Sequence, residues 1–182
     1  MLRPVQITPP ATQPVSVDLL KQHARILFDE DDQLLDGYLD AAVSHLDGYS
    51  GVLGRCLINQ SWRQDFEHWS CQFRLPFPDV SEASVSYRSG ASLDIAPADY
   101  EVLEDATGSF LRFGPAFTGP RHDDVGRPIS VTFTAGYGAE NDVPWKLRVA
   151  IMRLATHWYD NPADSLPRDF TASIAQFRRF RL

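Results

Sequence analysis

The stretch from Ile129 to Asn161 leaves this chain the fewest options. Ile129, Val131, Phe133 and Ala135 alternate with Ser130, Thr132 and Thr134, the period-2 pattern of a half-buried strand. Gly136 and Gly138 interrupt it, Asp142 can cap a helix, and Pro144 suits a helix start because its missing N–H needs no partner there. Val143, Leu147, Ala150, Ile151, Leu154, Ala155 and Trp158 then recur at helical spacing, with Trp145, Val149, Met152 and Tyr159 beside them. The polar remainder, Lys146, Arg153 and His157, is narrow, so this helix is expected to touch neighbours on more than one side. Asn161-Pro162 stops it. A strand leading directly into the central helix is the frame for everything else.

Residues 1–15 hold four prolines and read as an extended arm. Ser16 reads as an N-cap for a short helix running to about Leu27, with Leu19, Leu20, Ala24 and Leu27 inward. Asp29, Glu30, Asp31 and Asp32 precede a second helix, whose positive end favours carboxylates. Leu35, Tyr38, Ala42, Leu46 and Tyr49 form its stripe, with Leu34, Ala41 and His45 alongside, and Gly51 and Gly54 end it. From Cys56 to Thr134 the period shortens. Val85–Tyr87 and Leu93–Ile95 flank the turn at Ser89-Gly90, and Tyr100–Leu103 and Phe110–Phe113 flank another. After Pro167 a last short helix carries Phe170, Ile174 and Phe177 on one face, then arginines. The predicted fold is α+β: a small helical bundle of two N-terminal helices plus a long central helix near the C-terminus, with an inserted antiparallel β-sheet domain and a short C-terminal helix. The parts are an arm at 1–15, helical residues 16–55, a β insertion at 56–135 and helical residues 136–182, forming one structural domain.

A chain of 182 residues with 43% apolar content can bury a real core. No apolar run approaches the roughly 20 residues a bilayer requires, and MLRPVQITPPATQPVS lacks the apolar stretch of a signal peptide; the expectation is a soluble, cytosolic protein with no membrane association. Cys56 and Cys71 are too few for a disulfide framework or a zinc site and are expected to be small, partly buried side chains. The net charge of −7 is uneven: residues 1–140 are acidic, residues 141–182 basic, an asymmetry that can orient self-association. Phosphate-binding, metalloprotease and nucleophile-elbow motifs are missing. His122-Asp123-Asp124 has no partner of fixed spacing. The residues therefore point to no catalytic, metal or cofactor-binding set.

VDLLKQHARI, DEDDQLLDGYLDAAVSHLDGYSGVLGRCLINQSW, LPFPDVSEASVSYRSG, PADYEVLED and VTFTAGYGAENDVPWKLRVAIMRLATHWYDN follow one another in this order. Together they resemble the head-tail connector (adaptor, or head-completion) proteins of long-tailed bacteriophages and gene transfer agents. The resemblance covers about Ser16 to Tyr159. It implies a structural protein without catalytic activity, in a ring commonly of twelve subunits beneath the portal. The ring extends the DNA channel toward the tail and meets a tail-side stopper or tail-terminator protein. It also implies passage of double-stranded DNA without sequence-specific binding, and a place at the virion head-tail junction after assembly in the bacterial cytoplasm. Beyond Pro162 the resemblance is weaker, and side-chain chemistry suggests Phe170, Ile174, Phe177, Arg178, Arg179, Phe180 and Arg181 as portal-docking candidates. Removing residues 170–182 is then expected to abolish docking and leave the fold intact. Asp29, Glu30, Asp31 and Asp32 are candidates for a subunit interface or the lumen. The alternative is a small cytosolic enzyme or ligand-binding protein with its pocket between the sheet and the central helix, using Tyr137, Trp145, His157 and the His122 loop.

Overall fold

The computed structural model describes residues 2–124, 126–162, 165–167 and 169–179. They form two compact units, one of helices (residues 10–58 and 137–180) and one of strands (1–9 and 59–136). The α+β class expected from the sequence is the one found.

In the helical unit, α1 (Val17–Ala24) starts at Ser16, whose Oγ accepts the Leu19 N–H at 3.3 Å. It ends early. Arg25 adopts a left-handed conformation (φ 59°) and the Ile26 N–H turns back to the Lys21 carbonyl, so Leu27 lies outside the helix at 96% exposure rather than on its inner face. Helix α2 (Asp32–Leu46) buries Leu35, Leu39, Ala42 and Leu46, while Leu34 is half exposed. The turn after it is tied down by the Asp47 carboxylate, which accepts the Leu57 N–H at 2.6 Å.

Helix α3 (Trp145–Asp160) buries Leu147, Ala150, Ile151, Met152, Leu154 and Ala155, the two-sided burial its narrow polar face predicts. Trp145 is the exception at 56% exposure. Asp142 does not cap α3; its carboxylate accepts the Ala139 N–H at 2.8 Å, closing a single 3-10 turn at Glu140–Asp142 before Pro144. Helix α4 (Phe170–Ile174) contributes Phe170 and Ile174, each 1% exposed, to the same core. His45 has its ring against Trp158 and Phe170, with centroids 6.2 and 6.4 Å away.

The sheet unit holds two antiparallel sheets where one block of strands was expected. A five-stranded sheet runs in the order β1-β2-β8-β4-β5, from β1 (Val5–Thr8), β2 (Gln60–Phe66), β8 (Ile129–Ala135), β4 (Val80–Ser89) and β5 (Ala91–Asp94). A three-stranded sheet runs β3-β7-β6, from β3 (Gln72–Arg74), β7 (Gly108–Phe113) and β6 (Tyr100–Asp105). Strand β8 lies at the centre of the first, pairing Phe133 with Trp62 on one side and Ala83 on the other. Its alternation is carried out in full: Ile129, Val131, Phe133 and Ala135 are buried and the hydroxyl residues between them are not. The N-terminal residues are not a free arm. Val5–Thr8 pair with β2 at the sheet edge, where flanking prolines cost no ladder bond, and Val15 is fully buried among the helices.

Aromatic rings fill the sheet unit. Phe77, from the buried proline-flanked segment Leu75–Pro78, lies 4.9 Å from Trp62, and Phe113 stacks on Phe117 at 4.2 Å. Tyr100 donates its hydroxyl to the Ala83 carbonyl at 3.0 Å, and burial pushes its pKa upward. At the β6–β7 hairpin Arg74 grips both carboxylate oxygens of Asp105, at 2.7 and 2.8 Å. That ion pair, with the Thr107 hydrogen bonds, holds the Asp105 carboxyl far below its ordinary range.

Candidate functional site

The C-terminal set divides. Phe170 and Ile174 point into the helical core, and Phe177 is half-buried against it. The single turn Ala175–Phe177 continues α4, and Arg179 is drawn back by its own backbone, whose N–H donates to the Leu53 carbonyl at 2.8 Å. The Arg178 side chain is exposed. Phe180 and Arg181 lie outside the described residues. Helical periodicity finds Phe170, Ile174 and Phe177 as one face; it cannot tell whether that face meets its own core or a partner.

The acidic cluster is also put to internal use. Lys21, largely buried in α1, places Nζ 2.5 Å from Asp29 and 2.7 Å from Asp32. The hydrogen bonds to Asp29 and then Asp32 raise the Lys21 pKa above its ordinary 10.5. Tyr159, near the end of α3, donates its hydroxyl to Asp31 at 2.5 Å, which raises the tyrosine pKa. Glu30 is exposed. Three carboxylates thus clamp the α1–α2 loop to its own unit. The same loop carries the most exposed leucine among the described residues, Leu27, beside Phe28 at 46% exposure. Sequence reasoning placed Leu27 inside because it continues the Leu20–Ala24 spacing; the left-handed residue Arg25 gives no pattern signal.

Tyr137, Trp145 and His157 of the enzyme alternative each have a partner of their own. Tyr137 accepts a hydrogen bond from Arg55, whose guanidinium also lies 5.1 Å from its ring centroid. Trp145 and His157 lie near opposite ends of α3, roughly 18 Å apart at the helical rise. Trp145 has Arg148 over its ring at 5.2 Å, and His157 Nε2 lies 3.0 Å from the Ser165 carbonyl. His122 shares a shallow groove of about 200 Å³ with Glu67 and His68, yet among the described residues no group of three or more His, Cys, Asp or Glu is placed to hold a metal ion. Nor, among them, is any helix long and apolar enough to cross a membrane. Of the two cysteines, Cys56 is buried and Cys71 exposed.

What the sheet unit offers instead is surface relief. Trp69, Cys71, Phe113, Pro115, Phe117 and Gly119 line an open groove of about 360 Å³. Its floor is fixed: Trp69 Nε1–H donates to the Pro120 carbonyl at 2.9 Å, and a Cβ on Gly119 would stand 2.4 Å from the indole.

Comparison with known proteins adds a family match and a shared fold. No curated protein sequence matches significantly. Three solved chains share the fold over nearly all of this one. A chain from the neck of an empty gene transfer agent particle, computed with C6 symmetry, is 20% identical with a TM-score of 0.82, covering 100% of this chain and 97% of its own. One from the virion of a native gene transfer agent particle is 21% identical with a TM-score of 0.75, over 100% and 97%. A third, from the neck of a native particle computed with C12 symmetry, is 23% identical with a TM-score of 0.71, over 97% of each. The resemblance read from the sequence is therefore found again: residues 14–77 match the family of phage gp6-like head-tail connector proteins, and the whole chain has the fold of these gene transfer agent components.

Proposed function

We propose that this protein is a structural adaptor that forms a ring between portal and tail at the virion head-tail junction and extends the DNA channel. The observation that carries this reading is the connector match over residues 14–77 on a chain whose full length superimposes on neck components. Cyclic symmetry in two of those particles supports a ring of this chain too, with twelve copies as the working number. A head-to-tail contact repeated by rotation closes into such a ring.

The helical unit supplies the portal-facing end. Because Phe170 and Ile174 are committed to the core, the docking segment is narrower than the whole C-terminal face: the exposed Arg178 with the residues that follow it. An exposed arginine can meet carboxylates with bidentate geometry. The opposite end of the ring receives the tail-side stopper or terminator, and double-stranded DNA passes through without base contacts.

Mixing the protein with its cognate portal is the test. Electron microscopy should show rings seated on the portal, in numbers that fall when residues 178–182 are removed. Failure of the intact chain to associate with portal over a range of salt concentrations would sink the reading. Docking unchanged after the truncation would remove only the anchor assignment.

A further inference from the structure

The α1–α2 loop turns its apolar residues outward, and the sheet unit carries an open aromatic groove. Arg25 leaves α1 in a left-handed conformation, Lys21 fixes Asp29 and Asp32, and Tyr159 fixes Asp31. With three of its carboxylates used in anchoring, the loop presents Leu27, 96% exposed, and Phe28. Large apolar groups held out by a rigid polar clamp are what a docking knob requires, because little ordering is left to do on binding. The groove lined by Trp69, Phe113 and Phe117 is open and aromatic, with Trp69 held by the Pro120 carbonyl. Glu30, exposed beside the knob and outside the clamp, is acidic, and the exposed residue after Pro120, at the groove's edge in sequence, is Arg121.

We infer that the Leu27–Phe28 knob of one copy seats in the Trp69–Phe117 groove of the next copy, and that this contact joins subunits around the ring. The inference rests on the ring reading above. Knob and groove are different surfaces of the chain, so the contact is heterologous and leaves a free knob and a free groove until the ring closes.

Cys71, exposed and lining the groove, makes the contact measurable. Rings formed on portal from the Leu27→Cys variant are treated with a short bismaleimide and run under denaturing conditions. A ladder of covalent multimers extending beyond dimers is expected, and it should vanish when Cys71→Ser is added. The companion variant Leu27→Asp/Phe28→Ser alters only exposed side chains; its thermal unfolding should match the native chain while ring formation falls at least tenfold. Intact rings without a ladder would overturn the knob-and-groove contact and leave the adaptor reading standing. So would a ladder stopping at dimers, cross-links running only to portal, or unimpaired assembly of the companion variant. Absence of rings from the native chain would overturn both.

Discussion

Gly138 shows how little freedom single positions have in the turn between sheet and helix residues. Its φ is +130°, and an added Cβ would stand 2.4 Å from the Asp142 carboxylate oxygen that caps Ala139. Gly138→Ala should therefore cost about 2 kcal/mol through backbone strain and loss of that cap, read as a Tm lowered by roughly 5 °C. Phe170 is decided by burial. At 1% exposure, among helices α2, α3 and α4, its replacement by Ala should cost about 3 kcal/mol, a loss visible in denaturant unfolding of the isolated protein with no partner present. If Phe170→Ala leaves stability unchanged but blocks docking, the core placement of this ring is wrong.

Among the elements, the clamp formed by α1, its loop and α3 has a pH signature. Lys21 and Tyr159 both have raised pKa values in the folded state. A raised value means the folded state holds the proton more tightly. The stabilisation is therefore complete below the unfolded values of 10.5 and 10.0 and is lost as pH climbs past them. Thermal unfolding followed from pH 9 to beyond these values should show an alkaline decline that Lys21→Met makes shallower; equal slopes would mean the clamp contributes nothing. Element by element, legibility tracked the reach of the signal. Strand β8 and helix α3 were visible because one period runs through each and burial follows it. The end of α1 was not, because Leu27 fits the helical spacing while the left-handed Arg25 that ends the helix carries no signal in the pattern. Strand β1 was hidden for another reason: four residues between prolines carry too little alternation, and only pairing with β2 makes them a strand. The division into two sheets depends on which strands pair, which no local pattern records.

For the whole molecule, burial divides the C-terminal residues proposed to dock: Phe170 and Ile174 lie in the helical core, and Arg178 is exposed. Aromatic and arginine residues at the chain end suggested a partner surface, yet a helix packed on its own core uses the same apolar spacing. The truncation experiment changes accordingly. Removing residues 178–182 should spare the fold and impair portal docking, whereas removing 170–182 takes Phe170 and Ile174 out of the core and should lower stability by several kcal/mol. Comparing the two by urea unfolding and by portal binding separates anchoring from folding. In the acidic loop, Asp29, Asp31 and Asp32 are paired within the helical unit, and Glu30 is exposed.

The helical unit is assembled from residues 10–58 and 137–180, with the entire sheet insertion translated in between. The apolar stripe of α2 (Leu35, Leu39, Ala42 and Leu46) gains its cover from α3 only after that insertion has left the ribosome. At bacterial elongation rates this leaves the nascent stripe bare for roughly ten seconds. A chain of this design has a reason to recruit a holding chaperone while it is being made, and its first 58 residues, expressed alone, should stay unfolded.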